Sequence, residues 1–410
     1  MGKRMRKVAI LLIPLLLLIL AMSAAAQGDS GIRLAITGTD GNIYVYDVAS
    51  EDLSSVTSDA SFDDPARFYD WPTWSTDGQL AFFGTNLDPN NFFGLGIYIM
   101  QEGGEPKGVF SAQDEIFTYA YWSPADCPAG NCRDLAVLYS TDAGLAARVV
   151  RAGDEYTVND LASGGPFYWD WSPDGASMFW ARFGTTLEIY DVESNQVERL
   201  DDVQGLAQAV DWSPVDDRLL AATQAADGTT TLMVFDGDER IELATGISGV
   251  IALEWSPDGR HAGMLIRNTG ELFIIDTQTG QQEAMPAREV IAFFWAPDSN
   301  QMAYIGIDTG NNSPGAKRVQ QTGPQLQWRV YSLDTGADSP YDSFLPSEDM
   351  IYYLNFFDQF ARSHRLWSAD SRYIVYGERT QNGEVVSLID VQSPNPARVI
   401  AEGGIGIFEW

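Results

Sequence analysis

Imidazole is scarce in this 410-residue chain: His261 and His364 are its only histidines, and that bounds the chemistry available. A Ser/His/Asp triad would have to use one of the two. His261 falls in a repeated apolar segment, where a packed or edge-exposed side chain is expected. His364 lies in an aromatic-rich stretch and is the only general-base candidate in a loop. No G-x-S-x-G elbow accompanies either, since Gly246-Ile247-Ser248-Gly249 has the wrong spacing. No glycine-rich loop opens a helix, which removes a phosphate cradle. The expectation is a protein without catalytic machinery.

Three other groupings could do chemistry. Cys127 and Cys132 close the loop Cys-Pro-Ala-Gly-Asn-Cys, and no histidine stands at ligand spacing to them. A local disulfide is therefore expected in preference to a metal site. Asp170, Asp211, Glu254 and Glu409 each stand immediately before a tryptophan. Side chains alternate along a strand, so all four would point away from the tryptophan side. If those strands line a central channel, the acids share one height. Two such charges ~8 Å apart at an effective dielectric of ~20 repel by roughly 2 kcal/mol. They then need backbone donors, arginine partners or a bound cation such as Ca²⁺, the only cofactor the pattern suggests.

The third grouping is aromatic. Tyr341, Phe344, Tyr352, Tyr353, Phe356, Phe357 and Phe360 crowd into residues 341–366, where Arg362-Ser363-His364-Arg365 follows them. Aromatic rings with arginine make interaction hot spots, so Tyr352, Tyr353, Phe356, Phe357, Phe360, Arg362 and His364 are the candidate binding residues. The same composition would also serve as a lid or plug over a wide channel.

What must position these residues is a repeat. Trp171-Ser172-Pro173-Asp174-Gly175 and Trp255-Ser256-Pro257-Asp258-Gly259 are identical, and weaker copies begin at Trp74, Trp122, Trp212, Trp295 and Trp367. Trp410 is an eighth, so this one position takes eight of the twelve tryptophans. Successive intervals are 48, 49, 41, 43, 40, 72 and 43 residues, close to the ~40–45 of one four-stranded propeller blade. Each unit reads as an apolar strand ending on tryptophan, a type I turn, two further apolar strands and a more polar fourth. No helical period of useful length interrupts them. The predicted fold is all-β: a single closed β-propeller of eight four-stranded blades, or seven if the region after Trp295 parses differently. Residues 404–410 supply a tryptophan strand without a blade after it, and residues 33–47 a blade without its tryptophan strand. The C-terminal strand is expected to complete the N-terminal blade and leave no free sheet edge. Insertions are placed at 86–95, 308–325 and 341–366.

The first 26 residues read as a signal peptide. Lys3, Arg4, Arg6 and Lys7 precede an apolar run from Val8 to Met22, and Ala24-Ala25-Ala26 offers the small residues of a cleavage site. The run is short for a membrane span. The propeller is then residues 27–410, and loss of four positive charges takes the net charge from −32 to −36. So acidic a surface repels phosphate backbones and anionic headgroups, which argues against nucleic acid and against the membrane after cleavage. A secreted monomer is expected, periplasmic or extracellular.

The tryptophan–turn–strand units resemble those of the TolB-like, WD-repeat-like β-propellers over nearly all of the chain beyond residue 26. The resemblance implies a scaffold that binds other proteins or peptides on its faces or in its channel. It carries no functional residue, because the shared motif is architectural. The alternative function is a carbohydrate-binding or carbohydrate-active propeller that uses surface carboxylates beside aromatic rings.

Overall fold

A computed structural model describes residues 31–410 apart from 128–129, 131, 166, 201–205, 288, 309–324 and 394. The expected signal peptide over 1–26 and most of the 308–325 insertion lie outside the described residues.

Eight antiparallel sheets surround a central channel. In the blade that begins at Ile251–Trp255, the next strands are His261–Ile266, Glu271–Asp276 and Gln282–Ala284. Ala262, Leu265, Leu272 and Ile275 are buried, whereas the outermost strand is exposed throughout. Sheets packed face to face bury both of their surfaces, so the inner strands read as unbroken apolar runs and only the rim is polar.

The turn after each tryptophan is held by its own side chains. Ser256 Oγ donates to Asp258 Oδ1 at 2.6 Å and accepts from His261 N at 2.9 Å, and Gly259 takes a φ of +66°. Glycine is required there twice over. The left-handed region is costly for other residues, and a Cβ on Gly259 would stand 2.3 Å from Val215 of the preceding blade. Where the motif substitutes serine, as at Ser299 and Ser371, the left-handed φ persists at 60° and 57°. Both hydroxyls then accept a backbone N–H from the preceding turn, that of Asp258 at 2.9 Å and that of Asp298 at 3.0 Å.

Ring closure follows the sequence expectation. Ile405–Phe408 pairs with Arg33–Thr37, with Leu34 opposite Phe408 and Thr37 opposite Ile405. The Arg33 guanidinium clamps Glu409 through two bonds of 2.7 and 2.6 Å. Eight blades are present, and seven is excluded. The 72-residue interval reflects insertions and not a missing blade. The last blade has three full strands, Tyr373–Thr380, Gly383–Asp390 and Arg398–Glu402, and its innermost strand shrinks to the bridge between Trp367 and Ile374.

Two insertion boundaries shift. Asn86 pairs with Phe93, so residues 87–92 form the excursion within 86–95. Tyr341 and Phe344 belong to the outer strand Asp338–Phe344, so the last insertion leaves the sheet after Phe344. It then forms two helices, α1 (Glu348–Asn355) and α2 (Phe357–Ser363), where the sequence was read as a loop. Ser347 caps α1 by accepting from Met350 N, with Glu348 and Asp349 in its first turn. The helices escape a periodicity search because each spans about two turns, and α2 is buried on nearly every side, leaving no amphipathic stripe. No helix among the described residues is long and apolar enough to cross a membrane.

Candidate binding sites at the two mouths of the channel

The channel has two ends, set by strand direction. Six first strands enter at one face and finish on their tryptophan at the other, where Trp367 and Trp410 also stand; these are called the entry face and the turn face. The last insertion comes in at the entry face, because it links a fourth strand to the next blade's first.

Helix α2 occupies the channel. Phe357, Phe360 and Tyr353 are buried against the ring. Phe360 meets Trp71 at 4.9 Å and Tyr119 at 5.1 Å between ring centroids, and Phe357 meets Phe293 at 5.4 Å. The helix is also bonded to the blades: Thr73 donates to Ser363 O at 2.8 Å, Tyr119 to Gln359 O at 2.8 Å, and Arg267 to Asp358 at 2.8 Å. The plug expected as one reading of the aromatic stretch is therefore present. His364 is fully buried in it, its Nδ1 2.6 Å from Ser363 Oγ, and burial drives its pKa down to about 3. It stays a neutral core residue over the physiological range.

The acids before the tryptophans do not form one ring. Asp170 Oδ2 accepts from Trp212 N at 2.8 Å, and Asp211 Oδ2 from Trp255 N at 2.6 Å, so each carboxylate ties its blade to the next. Arg362 lies between them, with Nη1 3.9 Å from Asp170 and Nε 3.5 Å from Asp211. Burial pushes Asp211 upward against the pull of Arg362. Glu409 is apart, held by Arg33. Glu254 has a buried Oε2 with no hydrogen-bond partner, and burial raises its pKa to about 8 despite Arg362 and Arg365. Among the described residues, no group of three or more His, Cys, Asp and Glu is placed to hold a metal ion. Cys127 and Cys132 are bridged, with Cα atoms 5.4 Å apart.

Above α2 on the turn face lies a cavity of about 330 Å³. Its walls are the motif's own side chains, including Trp171, Trp212, Trp255 and Trp295 with Pro173, Pro214, Pro257 and Pro297. Asp170, Asp211, Glu254, Arg362 and Arg365 also line it. The proline that the sequence assigns to turn geometry thus has a second use as cavity wall. Arg365, visible in the sequence only as the end of a basic run, lies over the Trp410 ring.

The entry face differs. Tyr352 on α1 and Phe356 at its C-cap are 36 and 41% exposed, beside Ile351 at 45%, which the sequence reading missed because it is not aromatic. Tyr352 meets Trp71 at 5.2 Å and Phe356 at 5.5 Å between centroids, both with tilted rings. Leu87, Phe92, Ile116, Phe183 and Val250 stand exposed around the same face, at strand starts or in the loops between second and third strands. On the turn face the comparably exposed large apolar side chains among the described residues are Val215 in a motif turn and, at or beside the starts of outermost strands, Leu53, Val197 and Val399.

These features define an eight-bladed β-propeller with a helical plug. No protein-family model and no curated protein matches the sequence. Among solved structures, the C-terminal WD40 domain of Sif2 matches 89% of this chain and 93% of its own at 12% identity, with a TM-score of 0.54. An oligogalacturonate lyase in complex with manganese matches 88% of this chain and 97% of its own at 13% identity, with a TM-score of 0.51. TolB from Acinetobacter baumannii matches 84% and 82% of the two chains at 12% identity, with a TM-score of 0.40. At these identities the likeness is one of fold alone.

Proposed function

We propose that this chain is a non-catalytic propeller scaffold that docks a protein or peptide partner on its entry face. The observation that carries this reading is the exposed surface of Ile351 and Tyr352 on α1 and Phe356 at its C-cap, set on a plug whose other side is locked into the channel. Rigid, half-buried aromatics over a packed base have the composition and placement of hot spots. Exposed apolar side chains gathered at one channel mouth are also what partner-binding proteins present. A non-catalytic role is supported by His364, which is buried and neutral, and by Asp170 and Asp211, whose carboxylates are taken up by backbone donors and Arg362. Export as a secreted monomer, periplasmic or extracellular, rests on the basic and apolar N-terminal run and on the Cys127–Cys132 bridge.

The test is capture from an envelope extract of the source organism on immobilised protein, comparing wild type with Ile351→Asp/Phe356→Asp. These sites are exposed, so the double variant should fold normally and lose the captured partner. Identical capture by both proteins would reject the entry-face assignment. N-terminal sequencing of the purified protein tests export separately; cleavage after Ala26 is expected, and a retained N-terminus counts against it.

A further inference from the structure

The turn-face cavity has no part in the reading above, and its chemistry differs from everything around it. The chain as a whole carries 57 acidic against 25 basic residues, yet among the described residues two guanidiniums reach this cavity. Arg362 is matched by Asp170 and Asp211. Arg365 is not: it is half-buried, faces the cavity above Trp410, and has no carboxylate at ion-pair distance among the described residues. A half-buried guanidinium that faces a cavity with no carboxylate beside it favours an incoming anion, with which it can form charge-assisted hydrogen bonds.

We propose that the cavity binds a small organic acid, its carboxylate paired with Arg365 and its apolar body lying against the tryptophan and proline walls. The volume of about 330 Å³ suits a molecule of that size. Flat indole faces favour a flat or ring-shaped body. Glu254 does not occupy the role itself. Its carboxyl is held protonated near neutrality by burial, with Arg362 and Arg365 opposing and Asp170 and Asp358 reinforcing that shift. It therefore leaves Arg365 uncompensated there and offers an O–H donor to an incoming carboxylate. When it ionises, at about 8, it becomes a competing anion inside the same cavity.

Isothermal titration of the full chain with phenylacetate and phenylacetamide reads this directly. Phenylacetate should bind at least about tenfold more tightly than the amide, and Arg365→Gln should remove that preference. Since Arg365→Gln also disturbs the Trp410 contact, Glu254→Gln supplies a second arm. Wild-type affinity should fall between about pH 7 and pH 9 as Glu254 ionises, whereas Glu254→Gln should hold its affinity across that range. Equal binding of acid and amide, or no binding of either, overturns the proposal. Binding of a Gly-Gly-Phe peptide acid without any binding of phenylacetate would assign the cavity to chain ends and overturn the free-acid reading.

Discussion

The two mouths of the channel are closed in opposite ways. On the turn face the motif side chains converge on a small cavity whose floor is ionic: Arg362 between Asp170 and Asp211, with Arg365 and Glu254 beside them. On the entry face a helix lies across the opening and turns apolar side chains outward. One insertion makes both ends, because α2 is committed to the ring while α1 is committed on one side only. A propeller's repeated residues supply its walls; its character at each mouth comes from the segment that breaks the repeat.

The largest expected effect is on the ionic floor. Arg362→Leu leaves the Asp170 and Asp211 carboxylates buried without their cation, which should cost about 3–5 kcal/mol in urea unfolding. Ile351→Asp on the entry face should change stability by less than about 0.5 kcal/mol. Equal losses would erase the distinction between a locked α2 and an outward-facing α1.

Next come the turns. Gly259→Ala forces a left-handed residue against Val215 and should destabilise by about 2 kcal/mol or more. Gly228 has a φ of +86° but open space around it, in an entry-face loop. Gly228→Ala should show only the backbone cost of about 1 kcal/mol. The difference between the two measures how far the turn face is interlocked and the entry face is not.

Titration reaches both mouths alike. Glu254 on the turn side and Asp70 under α1 are both raised to about 8, chiefly by burial, and Asp349 to about 6 by burial and then Glu384. A carboxyl raised in the folded state contributes stability that is complete below its unfolded pKa and is lost as pH rises through the folded value. Melting temperature should therefore decline from about pH 5 to pH 8, and Glu254→Gln should remove only its own share of the slope. A flat profile in the wild type would refute these burials.

A smaller effect than that at Gly259 is expected for Ser299→Ala. It removes the hydroxyl that accepts from Asp258 N and should cost about 0.5–1.5 kcal/mol by chemical denaturation.

The architecture was largely legible in advance. Tryptophan spacing gave the blade number, and the orphaned strands at the two ends gave the closure, because both depend on a pattern repeated often enough to stand above noise. The candidate sites were legible in composition but not in geometry. Tyr352 and Phe356 were singled out along with Tyr353, Phe357 and Phe360, yet only burial separates the first two, which face solvent, from the others, which fill the channel. The acids before the tryptophans were visible as a set. That Arg362 would divide them depended on a helix of seven residues, too short to leave a period. Ile351 and Arg365 carry no local signal, since their roles come from what the tertiary fold places beside them.

Hydrogen exchange of the full chain, free and with its captured partner, tests the docking account most directly. Slowed exchange should appear in residues 348–356 and in the entry-face loops near Phe92, Ile116 and Phe183, with the Trp-Ser-Pro-Asp-Gly turns unchanged. Protection confined to those turns, with 348–356 unaffected, would contradict it.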